Sequence, residues 1–221
     1  SLPDAAIRGL DQETDRILGL LEDPLRKGAW DRRGLVVGHV QSGKTANYTG
    51  LINKAADAGY KVIIVLAGLH NNLRSQTQQR LDEGFLGYDS GAVHGAATRA
   101  TKEIGVGQYN PSLRPDTITY RTESGDFKTA RAKGFSINPG RTPLLFVIKK
   151  NATVLKNLLH WVKWAANSHD PETQRRVVVN VPLLMIDDEA DHASVDTKEM
   201  AIGPNGKPDE DHDPTKINRL I

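Results

Sequence analysis

Gly38-His39-Val40-Gln41-Ser42-Gly43-Lys44-Thr45 fits the pattern GxxxxGK[ST], and its surroundings suit that pattern. The apolar run Leu35-Val36-Val37 predicts a strand leading into it, and residues 46–58, free of proline, predict a helix leading out. Strand, glycine-bounded loop and helix in that order make a phosphate-binding P-loop. Glycines at its two ends let the backbone turn tightly enough for successive N–H groups to face phosphate oxygens, and the new helix adds the positive end of its dipole. In this setting the Lys44 ammonium reaches the β- and γ-phosphates of ATP, and the Thr45 hydroxyl holds Mg2+. The expected fold class is therefore α/β, with a mostly parallel sheet flanked by helices.

A P-loop enzyme also needs a carboxylate on a neighbouring strand tip to hold the metal, and a second one to orient or deprotonate the attacking water. Asp187-Asp188-Glu189-Ala190-Asp191-His192 directly follows the apolar residues 183–186, which predict a core strand. Asp188 is the candidate metal residue and Glu189 the candidate base. The same acids would equally suit the start of a following helix, where negative charge is favourable in any case. Their pairing with the P-loop favours the catalytic role.

The rest of the sequence bounds the function more loosely. Its 221 residues carry 38% hydrophobic and 25% charged side chains and a net charge of +2, which suits a soluble α/β domain and does not by itself indicate nucleic acid. No apolar run approaches a membrane span and no signal-peptide pattern opens the chain, so a cytoplasmic location is expected. The absence of cysteine excludes disulfides and cysteine-based zinc sites. Because Ser1 is not an initiator methionine, and because Asn218-Arg219-Leu220-Ile221 reads as the opening of a helix, an excised fragment is expected.

Along the chain, residues 1–33 predict an N-terminal helix and a connector, and residues 34–221 the main domain. The helix, within 4–21, has Ile7, Leu10, Ile17, Leu18 and Leu21 at helical spacing. Trp30 in the connector either stacks on adenine or packs into the core. Residues 61–66 are apolar and β-branched and predict a parallel strand buried on both faces. A polar helix over 70–83 follows, with Arg74 and Arg80 either contacting a nucleic-acid backbone or lying on a solvated face. Residues 88–142, rich in Gly, Ser, Thr and Pro with eight basic and five acidic side chains, predict a partly mobile insertion containing one β-hairpin. A third strand over 144–148 exits through Lys149-Lys150 at the expected ligand edge, and an amphipathic helix over 154–166 follows. Pro182 argues against one uninterrupted strand through 177–186. The acidic run 209–213 suits a solvated loop better than a metal site.

Ser42-Gly43-Lys44-Thr45 together with Asp188-Glu189-Ala190-Asp191 resembles the motif I and motif II pair of superfamily 2, DEAD-box-like helicases. Residues 38–48, the run Ala67-Gly68-Leu69-His70-Asn71-Asn72-Leu73-Arg74, and Ile186 through Asp191 more closely resemble the bacterial Z1-domain proteins. These are helicase-like ATPases associated with DNA restriction or phage defence. The resemblance implies a RecA-like P-loop NTPase domain in which Gly38, Gln41, Ser42, Gly43, Lys44 and Thr45 bind ATP. It further implies that Thr45 and Asp188 hold Mg2+, and that Glu189, assisted by Lys44, carries the chemistry.

Members of that family continue into a serine- or threonine-containing motif III and a second RecA-like domain, whose arginine completes the site. Neither occurs in this sequence, so the expectation is a DNA-acting motor half that binds nucleotide and hydrolyses it poorly alone. Two alternatives stand beside it: a P-loop ATPase that remodels a protein partner, and a nucleotide-binding scaffold without turnover.

Overall fold

Val62-Ile63-Ile64-Val65-Leu66-Ala67, four of its six residues β-branched, forms strand β1 (Val62–Ala67), and all six residues are buried. An all-apolar strand of this kind is stable only where both faces are covered and both edges are paired. Both conditions are met. β1 pairs in parallel with β3 (Leu144–Ile148) on one side and with β6 (Leu183–Asp188) on the other, and β2 (Asp116–Thr117) extends the sheet beyond β3. The order is β2-β3-β1-β6, all parallel. The computed structural model from which this is read describes residues 3–38, 43–92, 102–111, 114–191, 194 and 217–221.

Period-two alternation divides the strands between two cores. Ile63, Val65 and Ala67, with Leu145, Val147 and Leu184, pack with Tyr48, Ile52 and Ala55 of α2 (Lys44–Ala58) and with Leu81 of α3 (Asn71–Leu81). Val62, Ile64, Leu66, Leu144, Phe146 and Ile148 face the other way and pack with Val154, Leu155, Leu158 and Trp161 of α5 (Ala152–Ala165). Asn151 caps α5, its side chain accepting hydrogen bonds from the Thr153 and Val154 amides. Phe127, Phe146 and Trp161 form an aromatic cluster with ring centroids 5.5 to 6.1 Å apart, and the Trp161 indole donates to the Ala132 carbonyl at the end of α4 (Thr129–Ala132). The result is an α/β sandwich with helices on both sides of a parallel sheet. Among the described residues no helix is long and apolar enough to cross a membrane.

The N-terminal helix α1 (Asp4–Leu18) lies on α2, where Lys54 bridges Asp11 at 2.7 Å and Asp15 at 2.5 Å. Trp30 packs edge-to-face on Tyr60 with centroids 6.1 Å apart, so of its two expected roles the packing one is observed.

Three sequence expectations need correction. Leu35, Val36 and Val37 form no strand and are 81%, 56% and 85% exposed. The segment has apolar content but makes no ladder with the sheet, and among the described residues β6 has β1 as its one neighbour. The described part of the 88–142 insertion contains no hairpin; Thr117 instead joins the main sheet, and short helical turns carry the remainder. The sequence between the α5 region and Val177, which contains Pro171, reads as a loop; in it a small antiparallel pair forms, β4 (Ser168–His169) with β5 (Arg176–Val177). The acidic run 209–213 lies outside the described residues.

α3 departs most from expectation, because its inner face is polar and buried. Arg74, fully buried, donates to the Tyr120 carbonyl at 2.9 Å and the Thr122 carbonyl at 2.6 Å, and Ser75 donates to the Arg121 carbonyl. A nucleic-acid contact through Arg74 is thereby excluded in this arrangement. A buried chain of hydrogen bonds lies beside it. The Val147 amide donates to Thr119 Oγ1, Thr119 to Gln78, and Gln78 to Asp82, whose other oxygen accepts from the Ser90 amide and hydroxyl. These bonds fasten the insertion to α3 and β3, beside the apolar contacts that Ile118 and Phe127 make with the β3 side of the sheet.

Burial pushes the Asp82 carboxyl from its ordinary 3.8 up to about 6, against the opposing effect of its Ser90 and Gln78 hydrogen bonds. The folded state therefore holds this proton more tightly than the unfolded state does. The stabilisation is fully present below pH 3.8 and is lost as pH rises through 6, a change of about 3 kcal/mol. Urea unfolding of the wild type against Asp82→Asn between pH 3 and 8 should show the stability difference moving by that amount. A difference that stays constant across the window would contradict this placement of Asp82.

Candidate functional site

Parallel strands in register place their C-terminal tips level, and here the tips carry the polar residues. Ala67 is opposite Asp188, and Leu66 is opposite both Ile148 and Asp187. Directly beyond lie Gly68 after β1, Lys149-Lys150 after β3 and Glu189 after β6.

The pleat then separates two adjacent acids. Asp188 shares the parity of Leu184 and Ile186 and so turns to the α2 side, while Asp187 turns to the α5 side. On the α2 side the Tyr48 hydroxyl donates to Asp188 Oδ2 at 3.3 Å and also interacts with the hydroxyls of Thr45 and Thr77. Burial raises the Tyr48 phenol to about 12, so it stays protonated and acts as a donor. One hydroxyl thus joins the start of α2 to a carboxylate 140 residues later in the chain. On the α5 side Lys150 Nζ stands 2.7 Å from Asp187 Oδ1.

Glu189 follows with φ of +54°, an uncommon conformation for a residue with a side chain, and its amide donates to Asp188 Oδ1. Its carboxylate lies over Gly68. A Cβ added to Gly68 would meet Glu189 Oε2 at 3.3 Å and Leu73 Cδ1 at 2.9 Å, and Gly68 itself has φ of +57°. Only glycine suits both conditions at once.

The beginning of α2 supplies the positive counterpart. Gly43, left-handed at φ +80°, precedes Lys44 as an N-cap that offers no side-chain acceptor to the free amides of the first turn. Lys44 is exposed there, and Arg80 from α3 donates to Thr45 Oγ1 at 2.9 Å, adding a second cation. Uncapped amides and two cations suit phosphate, and a hydroxyl with a carboxylate suits Mg2+, which needs few protein oxygens and fills its octahedron with water and phosphate. On this chemistry the residues present fit a magnesium nucleotide.

Comparison of the chain with protein-family models, with curated proteins and with solved structures finds no match. The reading of the site therefore stands on its geometry and on the motifs.

Of the residues expected from sequence, the structure brings together Thr45, Asp188 and Glu189, with Lys44 and Gly43 at the same helix start. Gly38 is exposed, and Gln41 and Ser42 lie outside the described residues. Arg80, for which a nucleic-acid contact and a solvated face were both open, lies exposed and reaches Thr45. Lys149, on the same edge, donates to Asn71. Tyr48, Gly68 and Lys150 are the residues whose roles the sequence did not disclose. The β-strand parity of Asp187 and Asp188 was a readable signal for the two sides they serve, given the strand. Replacement of Gly68 by alanine is expected to cost about 1–2 kcal/mol through its left-handed backbone, read as a shift in the urea midpoint. A Gly68→Ala protein as stable as wild type would show that this turn is not held as described.

Proposed function

We propose that this chain is the ATP-binding motor half of a helicase-like, DNA-acting ATPase of the superfamily 2 type, serving bacterial restriction or phage defence. The observation that carries the reading is the Tyr48 hydroxyl, which draws Thr45 and Asp188 to a single point beside the uncapped start of α2. The Z1-domain resemblance and the parallel sheet support the finer assignment to a RecA-like domain. The DNA-acting part rests on that resemblance, since Arg74 is engaged with backbone carbonyls.

In this reading Lys44 and the first amides of α2 bind the phosphates, and Gly38, Gln41 and Ser42 share in that binding by their place in the motif. Thr45 and Asp188 hold the magnesium ion, whose role when bound is to neutralise phosphate charge and orient the phosphoryl group. Glu189 orients a water molecule and takes its proton at the carboxylate lying over Gly68. Arg80 stands beside Thr45, where its guanidinium adds positive charge to the phosphate end of the site. A second RecA-like domain of the parent protein would supply the arginine that completes transition-state stabilisation, a contribution on the order of a thousandfold or more.

The test is ATPase activity of the intact protein with and without single- and double-stranded DNA. Lys44→Ala should weaken nucleotide binding at least tenfold, while Glu189→Gln should keep binding and lower turnover by about a hundredfold or more. DNA should stimulate turnover, with an affinity that falls steeply with salt. Turnover that survives Glu189→Gln would remove the assigned base. ATPase activity indifferent to DNA would move the proposal to a protein-remodelling ATPase, and nucleotide binding without turnover to a scaffold.

A further inference from the structure

Lys150 is the one lysine on the ligand edge that never reaches solvent: its side chain has 0% exposure. Long ammonium side chains are seldom buried unless paired, since removing the charge from water is costly. Here the ammonium stands 2.7 Å from Asp187 Oδ1 and donates to the carbonyl oxygen of Glu189 at 2.5 Å. The Lys150 amide in turn donates to the Gly68 carbonyl at 2.8 Å. A single residue therefore ties the turn after β3 to the turns after β1 and β6.

The consequence falls on Glu189. A left-handed residue persists only where its surroundings fix it, and the Glu189 carbonyl is fixed by the ammonium while its amide is fixed by Asp188. With the peptide groups on both sides of its Cα held, the Glu189 carboxylate is delivered over Gly68. The pair also sorts the acids. Three consecutive carboxylates at one strand tip repel one another, and Lys150 engages Asp187 on the α5 side, leaving Asp188 to Tyr48 and the α2 side.

We propose that Lys150, paired with Asp187, is a positioning residue of the hydrolytic site that sets the backbone of Glu189 and so aims its carboxylate. The proposal rests on the ATPase reading for its catalytic consequence, while its structural part concerns the 187–191 turn alone. Lys150 touches neither nucleotide nor water in this scheme; it acts through Glu189.

Lys150→Met alone leaves the partly buried Asp187 carboxylate without its cation and endangers folding, so the informative variant is Lys150→Met together with Asp187→Leu, which replaces the ion pair by apolar groups. In the intact protein three quantities are measured: melting temperature, affinity for a fluorescent ATP analogue with Mg2+, and hydrogen–deuterium exchange across residues 187–191. Steady-state ATPase kinetics accompany them. The expected result is a folded protein with analogue affinity and KM within about threefold of wild type, kcat lowered by at least tenfold, and faster exchange confined to 187–191. A folded double variant with kcat within twofold of wild type overturns the proposal. If the wild-type protein hydrolyses no ATP, the ATPase reading fails on its own; exchange then decides, unchanged protection of 187–191 overturning the positioning role and faster exchange there supporting it.

Discussion

The structure depends on the requirement that β1 leave no backbone group unpaired. Both of its faces are dry, so every N–H and C=O must find a strand partner, and β3 and β6 supply them in parallel register. Parallel register has a geometric result: all three chains leave the sheet at the same edge, and polar residues that are remote in sequence are delivered side by side. Pleating then decides which neighbours each acid meets. Asp188 meets Tyr48 and Asp187 meets Lys150 because they alternate, although they are consecutive in the chain.

Electrostatic balance at that edge follows from the same placement. Negative charge collects at the tip of β6, and the positive groups approach from three different elements: Lys44 at the start of α2, Arg80 on α3 and Lys150 after β3. Their settings differ. Lys44 and Arg80 are exposed and available to an anionic ligand, whereas Lys150 is desolvated and committed to Asp187 and the Glu189 carbonyl. Two lysines adjacent in sequence thus divide, Lys149 to Asn71 at the surface and Lys150 to the interior. A count of charges along the chain does not distinguish them.

Much of the sheet and its covering helices was legible. The runs of β1 and β3 are too uniformly apolar for any exposed role, and the apolar spacing of α5 matches one face of a helix. The tip of β6 was legible through its acids, and the motifs pointed to Thr45 and Asp188, which Tyr48 brings near one another. What escaped was set by partners distant in sequence. From sequence the helix over 70–83 reads as solvated or as facing nucleic acid because Arg74, Gln78 and Asp82 are polar, and only the approach of Tyr120, Thr122, Thr119 and Ser90 makes their burial tolerable. β2 contributes two residues to the sheet, too few for a periodic signal. Leu35-Val36-Val37 has the composition of a strand, yet composition does not supply a ladder partner, and the segment stands exposed. Tyr48, Gly68 and Lys150 owe their roles to distances across the tip of the sheet, which no local pattern encodes.

The pairing of β1 with β6 also governs how the chain acquires its site. Val62 meets Leu183 and Ala67 meets Asp188 across more than half the length of the sequence, so this ladder closes a very large loop before it gains any contact energy. During synthesis, α2 and β1 emerge long before their acidic partner. Contacts of such high sequence separation form slowly, and the parallel arrangement allows no hairpin shortcut. The helix start that suits an anion is therefore complete early, and the carboxylates that would act beside it arrive only when the last strand of the sheet has docked.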